Sequence, residues 1–255
     1  MSEKHEIVLE TRELTKCFHT PGGRTLKACD SVSLTARCGE TLGIVGESGC
    51  GKSTFVKMLV QLEKPTSGAI YFRGKDIAGF SGEAARQNRR HIQMVFQDPA
   101  ASFSPKMRVG DIITEPLMNF GMITRKQRME KAAALLEMVE LDADFMSRYP
   151  HNMSGGQLQR VGIARALALN PEVLVCDEAT SALDVTVQKE ILDLLRGLEG
   201  DLGILFICHD ISLVQQFCHR VLVMHRGEIV EQGTPDEVIC RPQHAYTRHL
   251  IDSVL

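Results

Sequence analysis

Gly46-Glu47-Ser48-Gly49-Cys50-Gly51-Lys52-Ser53 decides the reading of this chain. The stretch fits the pattern G-x-x-x-x-G-K-[ST], and its flanks give the pattern meaning. Leu42-Gly43-Ile44-Val45 before it reads as a buried strand, and residues 53–62 after it read as a helix. Strand, glycine-rich turn and helix in that order form a cradle for phosphate. Glycines let successive backbone N–H groups converge on anionic oxygens without Cβ clashes. The helix start adds roughly half a positive charge at the same point. Lys52 is expected to bridge β- and γ-phosphates, and Ser53 to offer its hydroxyl to Mg²⁺. The nucleotide-binding segment is therefore expected to run from Gly46 to Thr54, including Glu47, Ser48, Gly49, Cys50 and Gly51. A glycine-rich turn carrying Lys-Ser by accident is the plain alternative, and the strand and helix on either side argue against it.

Working outward, short β-like runs at 7–9, 32–34, 41–45 and 70–72 alternate with turns. Residues 100–150 change character: 126–139 carries apolar residues near one helical face, as Ala133, Leu135, Leu136, Met138 and Val139. Beyond them, 173–176, 204–208 and 221–224 are near-continuous apolar runs, the pattern of parallel strands buried on both faces. Helical stretches at 155–169, 185–198 and 211–217 separate these runs. Such alternation implies an α/β fold with a helical insertion. A β-ribbon over 220–232 turns at Gly227. Two closing helices follow, the first opened by Thr234-Pro235-Asp236-Glu237 with Thr as N-cap, Pro at N1 and Glu at N3.

The runs end on chemistry. Asp177 and Glu178 follow Val173-Leu174-Val175-Cys176, and two carboxylates directly after buried residues are costly unless something holds them. A Mg²⁺ and a water at the carboxyl end of a parallel sheet would account for both. Asp177 is then the metal's partner and Glu178 the group that polarises the attacking water; a solvated loop after a core strand is the bland reading. His209 ends the run 204–208 and is placed to reach a γ-phosphate, although a lone histidine is more often structural. Gln97 ends a fourth run, 92–96, where a neutral amide can ligate Mg²⁺ or orient water. Ser154-Gly155-Gly156-Gln157 is an S-x-x-Q capping box. Capping alone does not ask for two glycines in a first helical turn, each costing about 1 kcal/mol, whereas close approach of an anion does. One nucleotide that needs two distant helix ends suggests that they come from different subunits.

Composition excludes other classes. The formal net charge is -3 and aromatic residues make up 5% without tryptophan, so neither a basic field nor a stacking platform for nucleic acid is present. The eight cysteines form no C-x-x-C pair and sit in apolar runs, as reduced thiols in a cytosolic protein do. The amino terminus, MSEKHEIVLE, lacks the apolar stretch of a signal peptide, and no run approaches the roughly 18 apolar residues of a membrane span.

These motifs together resemble the nucleotide-binding subunits of ATP-binding cassette (ABC) transporters over nearly the whole chain. GESGCGKS resembles the Walker A motif, VLVCDE the Walker B motif, and MSGGQ the signature LSGGQ with Met153 for Leu. Gln97 matches the Q-loop, Ser181-Ala182-Leu183-Asp184 the D-loop and His209 the switch histidine. Phe18 stands where the family places the aromatic that stacks on adenine. VGESGCGKST, QMVFQDPAASFSP, YPHNMSGGQLQRVGIARALALNP and PQHAYTRHL are similar to the peptide and nickel uptake branch. The resemblance implies ATP and Mg²⁺ as ligands, and a head-to-tail dimer with a second, identical or homologous ATPase subunit. In that dimer Ser154, Gly155, Gly156 and Gln157 complete the other protomer's site. It further implies integral membrane permease partners, an extracytoplasmic binding protein engaged indirectly, and a peripheral place on the cytoplasmic face of the inner membrane. The expected layout is one ABC ATPase domain over 1–255: a P-loop NTPase core with an antiparallel β subdomain (1–99 and 151–232), a helical subdomain (100–150) and C-terminal helices (233–255). A soluble ABC-type ATPase acting on nucleic acid or ribosomes is the alternative, but it calls for two cassettes or long coiled coils. A P-loop small-molecule kinase leaves SGGQ unexplained.

Overall fold

The computed structural model describes residues 6–19, 25–181, 183–198, 200 and 202–253. Residues 1–5, on which the reading of the amino terminus partly rests, and Ala182 of the D-loop lie outside them.

Two sheets form the frame. The larger contains β3 (Thr41–Val45), β6 (Ile92–Val95), β7 (Val173–Asp177), β8 (Gly203–Ile207), β9 (Arg220–His225) and β10 (Glu228–Gly233). Its order is β10-β9-β3-β8-β7-β6, parallel from β9 to β6, with β10 antiparallel at one edge. The smaller is antiparallel, β2-β1-β4-β5, built from β1 (Ile7–His19), β2 (Thr25–Arg37), β4 (Ser67–Phe72) and β5 (Lys75–Asp76).

Alternate residues of the parallel strands face two separate cores, which is why these strands read as unbroken apolar runs. Val173 and Val175 of β7, Leu205 and Ile207 of β8, and Leu222 and Met224 of β9 meet the small sheet and α1 (Lys52–Leu59). Leu174, Cys176, Ile204, Phe206, Val221 and Val223 meet the helical side instead. There lie α4 (Val109–Asn119), α5 (Arg128–Met138), α6 (Gly155–Leu167), α7 (Val185–Gly197), α8 (Ile211–Phe217) and α9 (Ala245–Asp252). Two shorter helices, α2 (Gly82–Asn88) and α3 (Pro99–Ser102), flank β6 in the chain. Buried Arg160 of α6 ties the helical layer together, donating to the Val139 carbonyl past the end of α5 and to Glu140, each at 2.8 Å.

The α/β class with inserted helices is as the sequence indicates. The differences are local. Strands β1 and β2 run 13 residues each, not the three read at 7–9 and 32–34. Register shifts and the left-handed residues Glu13 (φ 47°) and Ser31 (φ 52°) interrupt their alternation, which hides the strands' length. Helix α2 went unread because only Ala85 and Asn88 are buried in it, too few to make a period. The first closing helix is a five-residue π turn, Asp236–Cys240. Its expected cap is nonetheless formed: Glu237 N–H donates to Thr234 Oγ1 (3.3 Å) and Thr234 N–H to Glu237 Oε2 (2.8 Å).

Phe206 lies in a central strand, fully buried, edge-on to Phe217 with ring centroids 5.0 Å apart. Phe206→Ala is expected to cost about 3–5 kcal/mol of unfolding free energy, through lost burial and the cavity left behind. Urea denaturation followed by circular dichroism measures this; a loss below about 1 kcal/mol would mean that the helical side repacks freely.

Candidate active site

The parallel strands deliver their loops to one edge of the sheet. Strand β3 feeds the glycine-rich loop, and β8 lies between β3 and β7. His209, two residues past β8, therefore stands between that loop and the carboxylates that end β7. A cleft of about 430 Å³ gathers Phe18, the loop from Ser48 to Thr54, Glu178 and His209. Four sequence motifs, from Phe18 to His209, thus meet in one place because of strand order.

The loop is shaped by its glycines. A Cβ on Gly46 (φ 153°) would lie 2.2 Å from the Met224 carbonyl oxygen, and one on Gly51 (φ 113°) 2.2 Å from that of Ala28. Lys52 is 4% exposed, and its ammonium donates to the carbonyls of Gly46 (2.6 Å) and Glu47 (2.9 Å). A buried cation held by two neutral carbonyls and the Cys50 sulfur (3.7 Å) suits a loop that receives anions.

The carboxylates occupy different environments. Asp177 Oδ1 is buried and has no hydrogen-bond partner. Burial, and then the neighbouring Glu178, raise the Asp177 carboxyl above its ordinary range. A carboxyl oxygen buried without a donor fits a divalent cation, which would supply the missing partner. Glu178 is held in a left-handed conformation (φ 50°), its N–H donating to the Ile207 carbonyl (3.0 Å). That kink turns its carboxylate to His209, with Oε1 2.5 Å from Nε2. Backbone strain of this kind, on the order of 1–3 kcal/mol, persists where the surroundings impose it, commonly at functional sites. Phe18 is 37% exposed, with Lys16 Nζ 4.9 Å from its ring centroid.

Other expected residues stand elsewhere. Gln97, read as a magnesium partner, belongs with β6, three strand spacings or on the order of 14 Å from β3. Its amide donates to Ser181 Oγ (3.3 Å), and it lines a different cleft with Gly155 and Leu183. In this structure Gln97 therefore sits apart from the phosphate loop, facing Ser181. Ser154 forms the capping box with Gln157, and Ser154 and Gly155 are exposed. The two glycines have different reasons. A Cβ on Gly156 would lie 2.5 Å from Val187 Cγ1 of α7, so helix packing accounts for it; Gly155 meets only ordinary contact at 3.4 Å. Asp184 caps α7, accepting from the Val187 N–H (3.0 Å).

Sequence reasoning missed Leu26, Lys27 and Arg226, which also line the cleft. Arg226 and Gly227 are the turn of the β9–β10 hairpin, both at positive φ (47° and 89°). Gly227 N–H donates to the Cys50 carbonyl and its own carbonyl accepts from Asp30 N–H, each at 2.8 Å. The hairpin tip thus bridges the phosphate loop and β2, a contact that only the Gly227 turn signal hinted at.

The ABC transporter family model matches residues 29–181, well over half of the chain. The chain belongs to the ABC transporter family. Over 254 residues it is 47% identical to a probable peptide ABC transporter ATP-binding protein, y4tS, of Sinorhizobium fredii, covering 96% of this chain and 72% of the relative. It is 44% identical over 265 residues to the oligopeptide transport ATP-binding protein OppF of Escherichia coli, covering 100% and 79%. A dimeric ATP-binding cassette in a post-hydrolysis state, bound to ADP and Pi, superposes with a TM-score of 0.80 at 31% identity, covering 89% of this chain and 98% of that one. The cassette fold is therefore that of ABC ATPases, and this chain is an ATP-binding, ATP-hydrolysing ABC transporter subunit. Nothing in these relatives supports the nucleic-acid or ribosome alternative.

The buried charge at Asp177 has a measurable consequence. Its raised pKa means that ionisation opposes folding: the cost is present at neutral pH and is relieved as pH falls through the folded-state value. Asp177→Asn is expected to raise the melting temperature of the nucleotide-free protein in EDTA by about 2 °C at pH 7. A lower melting temperature in scanning fluorimetry would show that the carboxylate is favourably held without metal.

Proposed function

We propose that this chain hydrolyses ATP as one half of a paired ATPase that drives peptide import. The observation that carries the catalytic part is the Glu178–His209 contact at 2.5 Å in the cleft that also holds the phosphate loop. Lys52 and the loop amides bind the β- and γ-phosphates. Phe18 offers its half-exposed ring to the base. Ser53 and Asp177 would hold Mg²⁺, which supplies charge neutralisation for the phosphates when bound. Glu178 accepts a hydrogen bond from the attacking water and orients it in line with the γ-phosphate. His209 fixes the Glu178 carboxylate and presents its ring to the charge that develops on the transferred group.

Ser154 and Gly155 lie outside that cleft, Gly155 beside Gln97 and Leu183. Their exposed N-terminal helix end supports a role in trans, capping the nucleotide of a second ATPase subunit in a head-to-tail pair. The dimeric cassette bound to ADP and Pi agrees with such pairing. Among the described residues no helix is long and apolar enough to cross a membrane. Work at a membrane then requires other chains: permeases on the cytoplasmic face, with an extracytoplasmic binding protein delivering cargo to them. Gln97 and the helical segment over 100–150 pass the ATPase motion to the permeases. Leu62, Phe96 and Phe103 line an apolar cleft between β6 and α6 on that path. Peptide is the cargo because the relatives compared carry peptide-transport names; nickel has no such support.

Two experiments test this. Glu178→Gln is expected to retain ATP binding while slowing hydrolysis by about 10²–10⁴-fold, read by phosphate release; near-normal turnover would remove Glu178 from the mechanism. Expressed in its own cell membrane, the tagged chain is expected to co-purify with integral permeases, and its ATPase to rise with a peptide-loaded binding protein. Recovery with nucleic acid or ribosomes instead would overturn the import reading.

A further inference from the structure

Pro242-Gln243-His244-Ala245-Tyr246-Thr247 has no part in the chemistry so far, yet it reaches the phosphate loop. The Glu231 carboxylate on β10 accepts the backbone N–H groups of Gln243 (2.8 Å) and His244 (3.0 Å), which fixes the start of α9. Leu250 and Ile251 anchor the other end in the core beside Val45 and Val238. So held, α9 presents Tyr246, 9% exposed, with its ring against His225 at 3.7 Å between centroids. The tyrosine hydroxyl accepts a hydrogen bond from the Glu47 backbone N–H at 3.0 Å.

That N–H belongs to the same peptide unit as the Gly46 carbonyl, which accepts from Lys52 Nζ at 2.6 Å. A peptide unit is planar and turns as one body, so its two bonds are set together. Gly46, at φ 153°, has no side chain to limit rotation of this plane. The Tyr246 hydroxyl on one side and the Lys52 ammonium on the other are what hold it. We propose that Tyr246 is a positioning residue of the ATP site: by fixing the Gly46–Glu47 peptide it sets where the Lys52 ammonium stands. The carboxy-terminal helix is thereby wired to the phosphate loop, and nucleotide affinity depends on its docking. This rests on the ATPase reading above. A tyrosine serving only to fill space would need its ring alone, whereas the hydroxyl satisfies a backbone donor that has no other acceptor among the described residues.

Tyr246→Phe keeps the ring and removes the hydroxyl. The expected result is an apparent KM for ATP raised about 5–10-fold, with kcat within about twofold, in phosphate-release kinetics. The melting temperature is expected to stay within about 2 °C. Trinitrophenyl-ATP binding should weaken in step with KM. Glu231→Gln, which loosens the start of α9, is expected to shift KM in the same direction by about 2–3-fold, and it carries the test if Tyr246→Phe does not fold. An unchanged KM in folded Tyr246→Phe, or a lower melting temperature with an unchanged KM, overturns the proposal. A wild-type chain that fails to bind trinitrophenyl-ATP sinks the nucleotide reading itself, a result distinct from a wild type that binds and a variant that binds equally well.

Discussion

Burial of the parallel sheet on both faces is the constraint on which the rest depends. Strands β3, β7 and β8 have almost no exposed residue, so their backbone groups must pair within the sheet and their connections must leave at its ends. Every loop after a strand then arrives at one edge. Each arrival can be polar because the edge is the first place where water or a ligand is available. The phosphate loop, Glu178 and His209 share a cleft for this reason, although they are far apart in the chain.

Polar groups at that edge are left deliberately underserved. Lys52 is held by carbonyls, Asp177 has an oxygen with no donor, and Glu178 is in a conformation that costs energy. Elsewhere the same chain satisfies its buried charges closely, as at Arg160 with Val139 and Glu140. The contrast separates a binding edge from a packed interior more firmly than any one motif. It also means that the nucleotide-free protein stores instability where its ligand binds.

Much of this was legible in the sequence, for a physical reason. A doubly buried strand leaves an unbroken apolar run, and a charged residue directly after such a run is visible without any structure. Gly46 to Ser53, Asp177, Glu178 and His209 all announce themselves in this way. Lateral order is not written locally, so the distance of Gln97 from the phosphate loop could not be read. Backbone contacts leave no residue code: the Tyr246 hydroxyl on the Glu47 N–H and the hairpin tip on the Cys50 carbonyl were invisible for that reason. Gly156 shows the converse, since its glycine reads as an anion's signature while the side chain of Val187 already demands it.

The Gly156–Val187 contact has a mechanical meaning. With no Cβ between them, the start of α6 and the first turn of α7 sit too close to slide past one another. Asp184 caps α7 within that same turn. The segment that would touch a neighbour's nucleotide is therefore braced directly against the first turn of α7. Grafting a different signature segment onto this scaffold must accordingly bring its partner at position 187 along with it.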